Sequence, residues 1–304
     1  MSPLYARIVA ALIPDKQLRG RVRDLLLGRT DWLVNLLRTE PGINYMAMAV
    51  NRLPLHDLVK NYALIGDMLE ILKPYDCIGV VKSRIGNKND GGYVMIAPRQ
   101  EEKIAYSFGV SNESPWDLEM ATQGLKVYQY DGTIESPPDK HPNLFFHRNN
   151  ISAPSNSTPY TKNITQIFNE LGHGNEKDII LQIDIEGAEW SFFEEIEEED
   201  ISKFSQIIIE WHGLSPTEPE FQRRLDILRK VARTHTPIHV HVNNYGFGNN
   251  IPKGMLFYGD AFEVSYVRSC GFQFKPSTEF YPTQLDTPCN TKWPDVPIGK
   301  WPEQ

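Results

Sequence analysis

The sequence has few cysteines, no excess of positive charge and no long apolar run. Its 304 residues include three cysteines, Cys77, Cys270 and Cys289, which are odd in number and widely spaced. Such cysteines offer neither a disulfide framework nor a zinc site, and they indicate a reducing compartment. The longest purely apolar run near the N-terminus covers residues 8–13, which is too short for a membrane span or a signal-peptide core. We therefore expect a soluble, cytoplasmic protein.

Acidic residues outnumber basic ones by 39 to 31, so the net charge at neutral pH is −8. Because a basic surface supplies most of the affinity for nucleic acid, this balance predicts no nucleic-acid partner. The chain also lacks the glycine-rich dinucleotide fingerprint, which argues against an NAD-dependent enzyme. With 40% hydrophobic and 23% charged residues, the composition is typical of a globular protein that buries a sizeable core.

The N-terminal segment differs from the rest, since seven basic and three acidic residues give residues 1–38 a net charge of +4. Its leucines recur at helical spacing. One interpretation is a pair of helices packed on the main domain, and we favour it because core-facing amphipathic helices are the commoner kind. The other is a basic segment that rests weakly on the inner face of a membrane. A second helix is predicted over residues 55–72, ending before Pro74.

From residue 76 onward, short β-strands alternate with helices, which predicts an α/β domain built on a doubly wound, mostly parallel sheet. Continuous apolar runs suit strands that are covered on both faces. Helices are predicted after an N-cap at Ser114 and over residues 218–234. The predicted strands are Cys77–Lys82, Gly92–Ala97, Lys103–Phe108, Lys126–Asp131, Leu144–His147, Asp178–Asp184, Ser205–Trp211, Ile238–Asn243 and Phe262–Arg268.

Three regions are expected along the chain. A helical N-terminal arm covers residues 1–75 and an α/β body covers residues 76–274. A tail over residues 275–304 contains six prolines and two tryptophans. This composition predicts an irregular segment that packs on the body instead of adding to the sheet.

Two strand ends predict a site for an adenosine-type ligand. In an open α/β sheet, ligands bind beyond the C-terminal ends of the strands. The strand that ends at Phe108 runs into Gly109, and a glycine there lets a ligand approach the backbone. The next strand ends at Asp131, a position where an acid commonly binds ribose hydroxyls. A strand-ending aspartate before glycine is often only a turn, so the interpretation depends on the order and spacing of both features.

The third strand end carries two carboxylates, Asp184 and Glu186, where an apolar strand gives way to a helix. Charged groups are seldom buried without partners, so their position indicates a ligand, a metal or proton transfer. Acids at a helix N-terminus also complement the helix dipole. That explanation suits Glu189 and partly Glu186, but it accounts poorly for Asp184.

The fourth strand ends in Glu210, Trp211 and His212. His212 is the candidate general base, because imidazole titrates near neutrality and this residue lies in the same row as Asp184. His239 and His241 alternate along the next strand, as residues of a half-buried edge strand do. Asn243 and Asn244, at the tip of that strand, could hydrogen-bond a polar substrate.

These motifs resemble the FkbM-type S-adenosylmethionine-dependent methyltransferases. The resemblance covers roughly residues 76–290, and its most specific part is the string from Asp184 to Glu189. It implies the Rossmann-like class I methyltransferase fold, a seven-stranded, mostly parallel sheet with helices on both faces. One departure is that the first loop has only Gly109 where the commonest motif has several glycines. The segments that match are Arg84–Gly86, Asp90–Tyr93, Tyr106–Val110, Tyr130–Gly132, Gln182–Trp190 and Ile209–His212.

The resemblance also implies an activity, methyl transfer from S-adenosylmethionine to oxygen. The acceptor would be a sugar, nucleotide-sugar or glycan hydroxyl, and the basic N-terminal arm suggests surface-polysaccharide biosynthesis. The loop Gly109–Asn112 should hold the methionine part of the cofactor and Asp131 its ribose. Asp184 should face the methionine amine or the acceptor. The cofactor-binding residues implied are Ser107, Phe108, Gly109, Ser111, Asn112, Asp131, Asp90 and Gly91.

The predicted catalytic residues are His212, Asp184 and Glu186. Methyl transfer requires an aligned acceptor oxygen and the removal of its proton. We expect His212 to be the base, with Glu186 as the alternative. A divalent metal on Asp184 and Glu210 is a further option, because it could lower the pKa of a sugar hydroxyl.

Two other functions stay open. A metal-dependent glycosyltransferase could use Asp184-Ile185-Glu186 to hold a metal and a nucleotide diphosphate, but this leaves Asp131 unexplained. A methyltransferase-like fold could also serve as a non-catalytic cofactor-binding module. We rank the methyltransferase first, the glycosyltransferase second and the binding module third.

Overall fold

The computed structural model describes residues 64–215, 219–246 and 261–301. Most of the predicted N-terminal arm therefore lies outside the described residues. The helix predicted over residues 55–72 is seen in its last part, as helix α1 (64–71). Within the described ranges, no helix is both long and apolar enough to cross a membrane.

Within the described residues, thirteen strands, five further α-helices and two short 3₁₀ turns follow α1. The strands are β1 (Tyr75–Cys77), β2 (Lys82–Gly86), β3 (Gly92–Ile96), β4 (Ile104–Phe108), β5 (Lys126–Tyr130), β6 (Leu144–His147), β7 (Asn150–Ile151), β8 (Thr161–Lys162), β9 (Ile179–Ile183), β10 (Phe204–Trp211), β11 (His235–Asn243), β12 (Ala261–Arg268) and β13 (Phe274–Pro276). The helices are α2 (Pro115–Thr122), α3 (Ile164–Leu171), α4 (Glu189–Glu195), α5 (Glu198–Ile201) and α6 (Phe221–Ala232). The 3₁₀ turns are Pro154–Asn156 and Asn244–Gly246.

Seven strands form the central sheet in the order β11, β12, β10, β9, β4, β5, β6. Strands β10, β9, β4, β5 and β6 run parallel to one another. Strand β12 runs antiparallel to both β10 and β11. The predicted seven-stranded, mostly parallel sheet is thus confirmed. Because β4, β5, β9 and β10 are parallel, their C-terminal ends lie at the same edge of the sheet.

The two faces of the sheet are covered by different elements, since alternate residues of a strand point to opposite sides. On one face, Leu181, Ile183 and Ile209 belong to a large apolar core with residues of α3, α4 and α6. On the other face, Ile180 and Ile208 pack with α2 and with the hairpin of β2 and β3. Helices therefore lie on both faces, as predicted.

One predicted strand is wrong, and the predicted N-cap at Ser114 is confirmed without a capping hydrogen bond. The strand predicted over Cys77–Lys82 is two strands, β1 and β2, because Gly79 adopts a φ of +81° and turns the chain between them. Ser114 lies at the N-cap of α2, but its side chain makes no capping hydrogen bond. Its hydroxyl donates instead to Asp139 Oδ2 at 2.8 Å.

The proline-rich tail is held to the body by specific hydrogen bonds. Strand β13, at the start of the tail, pairs with β1. His239 Nε2 donates to Asp286 Oδ1 at 2.8 Å, and Trp301 Nε1 donates to the carbonyl of Leu69 at 2.8 Å. Asn244 Nδ2 donates to the carbonyls of three tail residues, Asn290, Trp293 and Pro294. The tail thus joins α1 to the end of β11.

Asp286 provides a test of how much the tail contributes to stability. Burial opposes its charge, but hydrogen bonds from His239 and Thr283 outweigh burial and lower its pKa to about 2. A lowered pKa stabilises the fold above the unfolded value of about 3.9, and this contribution is lost as the pH falls toward 2. At about 1.4 kcal/mol per pKa unit, the contribution is roughly 2 kcal/mol.

We expect Asp286→Asn to lower the free energy of unfolding by roughly 2 kcal/mol above pH 5. The difference from wild type should shrink toward pH 2, because wild-type Asp286 then becomes protonated. Denaturant titrations between pH 2 and pH 6 measure this difference. The exposed tail carboxylate Glu279 supplies the control, and Glu279→Gln should show no such trend. A difference for Asp286→Asn that stays constant with pH would refute this role of the hydrogen-bonded carboxylate.

Candidate active site

The loops that follow β4 and β9 touch through their backbones. Gly109 has a φ of +85°, and a Cβ built on it would lie 1.7 Å from the carbonyl oxygen of Asp184. The amide of Asp184 in turn donates to the carbonyl of Phe108 at 2.8 Å. Glycine is required at position 109 for this close packing. The predicted approach of a ligand to this backbone stays a prediction.

Asp131, at the end of β5, holds the loop after β4. Its Oδ2 accepts hydrogen bonds from the amides of Val110 at 3.0 Å and Ser111 at 2.8 Å. Its Oδ1 accepts from the amide of Thr133 at 2.7 Å and the hydroxyl of Thr133 at 2.6 Å. Burial opposes the charge, but these hydrogen bonds outweigh it and lower the pKa of Asp131.

A carboxylate accepts about four hydrogen bonds, and Asp131 already accepts four from donors of the chain itself. The structure gives this residue the task of holding loops. Its predicted contact with ribose hydroxyls stays a prediction, and such a contact would require the Thr133 hydroxyl to turn away.

A cavity of about 560 Å³ lies between the loops that follow β4 and β5. Ser111 and Asn112, two predicted cofactor-binding residues, line one side, and Thr133 and Glu135 line the other. Its volume is within the usual range of small-molecule sites, about 300–1,000 Å³. A larger cavity of about 730 Å³ lies between β1, β2 and the tail, but none of the predicted site residues line it.

Two predicted cofactor contacts do not match the geometry. The side chain of Phe108 is fully buried and packs against Tyr106, Tyr130 and Phe192. The hydroxyl of Ser107 is also buried and donates to Gln182 Oε1 at 3.0 Å. These strand residues belong to the core, because the exposed loop begins only after the strand ends.

His212 lies at the centre of a cluster of carboxylates. Its Nε2 is 3.7 Å from Asp184 Oδ1, 3.6 Å from Glu186 Oε2 and 3.6 Å from Glu210 Oε1. We call these four residues the His212 cluster. The predicted catalytic residues Asp184, Glu186 and His212 are therefore brought together at the ends of β9 and β10.

Helix α4 contacts His212 on the Nδ1 side of the imidazole and holds it in position. Its first residue, Glu189, is 0% exposed, and its Oε1 lies 3.3 Å from His212 Nδ1. The same oxygen accepts the amide of Ile185 at 2.7 Å. The indole of Trp190 donates to the carbonyl of His212 at 2.7 Å. The helix-dipole explanation of Glu189 is therefore insufficient, because this carboxylate is buried against a site residue.

The cluster holds positive charge on His212. Burial opposes that charge, but Glu189, Asp184 and Glu186 outweigh it and raise the pKa of His212 to about 9. Burial also raises the pKa of Asp184, against the opposing effect of His212. A protonated imidazole cannot accept a proton, so the predicted role of His212 as base requires the cluster to lose negative charge when ligands bind. That role stays a prediction.

A second group of acids adjoins the cluster. One carboxylate oxygen each of Asp90, Glu210 and Glu263 lie within 4.8 Å of one another. Glu210 and Glu263 are opposite each other across β10 and β12. Asp90 thus lies beside β10 and β12, and its predicted contact with the cofactor stays a prediction. Gly91 adjoins Asp90 in the hairpin loop and has a φ of +73°.

Glu263 was missed in the sequence, although a lone acid within the apolar strand β12 is a detectable signal. His241 Nδ1 lies 2.6 Å from Glu263 Oε2, and His241 Nε2 lies 3.0 Å from Asp295 Oδ1. Asn243 Nδ2 donates to Glu210 Oε1 at 2.8 Å. His241 and Asn243 are thus occupied by contacts within the chain.

The profile of the methyltransferase FkbM domain matches residues 75–249. Because the match covers more than half of the chain, the protein belongs to the FkbM methyltransferase family, and its seven-stranded sheet is that of a class I methyltransferase. The resemblance drawn from the motifs is confirmed.

Two curated relatives are each described as "Probable methyltransferase-like protein 24". The one from Homo sapiens is 30% identical over 127 residues, and the one from Rattus norvegicus is 31% identical over 125 residues. In both, the match covers 38% of this chain and 34% of the relative. The chain therefore matches about a third of the length of these relatives.

The loop-holding role of Asp131 can be tested without a ligand. Asp131→Asn removes the charge that binds three backbone amides, and hydrogen bonds to charged groups contribute about 1.5–3 kcal/mol each. We expect the free energy of unfolding to fall by about 2 kcal/mol and the amides of Val110 and Ser111 to exchange faster with deuterium. Glu176→Gln, at an exposed site, is the control and should change neither quantity. Unchanged exchange at these amides in Asp131→Asn would contradict the assignment.

Proposed function

We propose that this protein is an S-adenosylmethionine-dependent O-methyltransferase that acts on a sugar, nucleotide-sugar or glycan hydroxyl. Membership of the FkbM methyltransferase family supports methyl transfer in general. The observation that carries the finer proposal is the adjacency of two features at one sheet edge. The cavity at the ends of β4 and β5 can take the cofactor, and the His212 cluster at the ends of β9 and β10 can serve an acceptor.

The residues around the cavity fit the cofactor. Ser111 and Asn112 are exposed on one wall, and Asp131 fixes the backbone of the loop that carries them. These two residues would hold the bound cofactor from one side and Thr133 from the other. When bound, S-adenosylmethionine supplies a methyl group on a sulfonium sulfur, which leaves as a neutral thioether when the new carbon–oxygen bond forms.

The acceptor side needs groups that orient a hydroxyl and take its proton. Asp184 and Glu186 offer carboxylate oxygens around His212, and Glu189 keeps the imidazole in place. The hydroxyl proton would pass to this cluster as the oxygen is methylated. Because Asp184 also contacts the loop after β4 through its backbone, the acceptor groups are held at a fixed place relative to the cofactor loop.

The role in surface-polysaccharide biosynthesis and the weak contact of the N-terminal arm with a membrane are parts of the same proposal. Both derive from the basic amphipathic sequence of the arm, which lies outside the described residues. The glycosyltransferase alternative loses support, because a methyltransferase domain covers the proposed metal-binding triplet. A measurement of turnover distinguishes a non-catalytic binding module from an enzyme.

Calorimetric titration with S-adenosylhomocysteine, followed by a transfer assay, tests the proposal. We expect micromolar binding and methylated products from a panel of nucleotide sugars and oligosaccharides supplied with labelled S-adenosylmethionine. His212→Asn should bind S-adenosylhomocysteine within about twofold of wild type and transfer methyl groups at least about 100-fold more slowly, since general acid–base groups contribute 10²–10⁴-fold.

Three outcomes would contradict the proposal. Binding of a nucleotide sugar with manganese, without binding of S-adenosylhomocysteine, would indicate a glycosyltransferase. Cofactor binding without transfer to any acceptor would indicate a binding module. An equal loss of cofactor affinity in His212→Asn and Asp131→Asn would show that His212 belongs to the cofactor site.

A further inference from the structure

Donor atoms of Asp184, Glu186 and His212 are spaced like the ligands of one cation. The distances from His212 Nε2 to oxygens of Asp184, Glu186 and Glu210 are 3.6–3.7 Å, which is too long for hydrogen bonds. Ligands about 2.0–2.6 Å from a common cation lie about 3–4 Å from one another. The donor atoms of Asp184, Glu186 and His212 also all lie within 4.8 Å of one another.

Two buried oxygens give an independent reason to expect a ligand. Asp184 Oδ1 is buried and has no hydrogen-bond partner within the described part of the chain. Glu189, 0% exposed, likewise has one oxygen without a partner there, while its other oxygen faces His212 Nδ1 at 3.3 Å. A buried polar atom without a partner costs free energy, so both indicate a group that is present in the working protein.

The contact between Glu189 and His212 has the form of a metal site. A histidine that ligates a metal usually directs its other ring nitrogen at a carboxylate or carbonyl, which fixes the tautomer and the ring. Glu189 occupies that position beside Nδ1 of His212, so Nε2 faces Asp184, Glu186 and Glu210. Helix α4 thereby sets the direction of the imidazole.

In the described part of the chain, the carboxylates of the cluster share a single basic partner, His212. Among the ion pairs of residues 64–215, 219–246 and 261–301, the three carboxylates of the cluster pair with His212 and with no lysine or arginine. A divalent cation bound in place of the proton on His212 would compensate the negative charge of Asp184 and Glu186.

We propose that Asp184, Glu186 and His212 bind one divalent cation of the Mg²⁺ or Mn²⁺ type. Two carboxylates and one imidazole suit such a cation, which accepts oxygen ligands and tolerates nitrogen. Its use rests on the proposed function: a cation here would bind the acceptor hydroxyl and lower the pKa of that hydroxyl. The binding itself does not depend on turnover.

Two neighbouring groups of potential ligands are alternative positions for the cation. Asp90, Glu210 and Glu263 share one residue with the cluster, so a variant of Asp90 separates the two sites. His241, Glu263 and Cys289 also lie close together. In that group, His241 Nδ1 already contacts Glu263 and Nε2 contacts Asp295, so the imidazole has no free nitrogen for a cation.

Titration of the full chain with Mn²⁺, followed by electron paramagnetic resonance of free Mn²⁺, tests the proposal. It is done with and without saturating S-adenosylhomocysteine, which lacks the sulfonium charge. We expect one Mn²⁺ per chain in both conditions. Glu186→Gln should weaken binding by at least about tenfold without changing the fold, because its side chain is 89% exposed. Asp184→Asn should weaken binding further.

Two controls place the site. Glu197→Gln alters an exposed acid outside the cluster and should bind Mn²⁺ like wild type. Asp90→Asn alters the neighbouring acidic group and should weaken binding less than twofold. Loss of binding in Asp90→Asn, with binding kept in Glu186→Gln and Asp184→Asn, would move the cation to the other group and overturn the proposal.

The failures of the two proposals can be told apart. Binding of S-adenosylhomocysteine without any Mn²⁺ binding would overturn the cation site and leave the proposed function standing. Binding of Mn²⁺ without S-adenosylhomocysteine would overturn the proposed function and leave the cation site standing. Tighter binding of S-adenosylmethionine than of S-adenosylhomocysteine that disappears in Asp184→Asn, with no Mn²⁺ bound, would assign the carboxylates to the sulfonium and overturn the cation site.

Discussion

The backbone contact between Gly109 and Asp184 joins the two halves of the candidate site. Parallel pairing of β4 with β9 ends at Phe108 and Ile183. Asp184, which follows β9, donates its amide hydrogen bond to the carbonyl of Phe108. There is no room for a side chain at position 109. The loop after β4 and the acidic cluster therefore have a fixed separation, which Asp131 maintains on one side and Glu189 on the other. A rigid arrangement of this kind is what methyl transfer needs, since its rate depends on alignment.

The site is built at a cost in stability. Glu189 and Glu210 are nearly fully buried carboxylates, and burial raises the pKa of Glu210 well above its usual range. Buried charges that are imperfectly paired do not stabilise a fold. Such groups cluster where a protein binds ligands or moves protons. The acids at the ends of β9, β10 and β12 are thus better explained by function than by folding.

The sequence predicted the parts of the fold that depend on local pattern. The apolar runs of β9 and β10 indicated strands covered on both faces, and the strand-end rule indicated Asp184 and His212. The sequence could not show that Thr133 donates hydrogen bonds to Asp131 or that Glu263 lies opposite Glu210, because these contacts depend on loop geometry and strand register. The capping box of Asn163 and Gln166 at α3 was a readable local signal that was missed.

We propose that S-adenosylmethionine binds across the ends of β4 and β5 beside the His212 cluster. A crystal structure with S-adenosylhomocysteine tests this most directly. We predict that the ligand lies in the cavity lined by Ser111, Asn112 and Thr133, with its sulfur toward Asp184 and His212. A ligand bound in the cavity between β1, β2 and the tail, or with its sulfur turned away from the His212 cluster, would contradict the account.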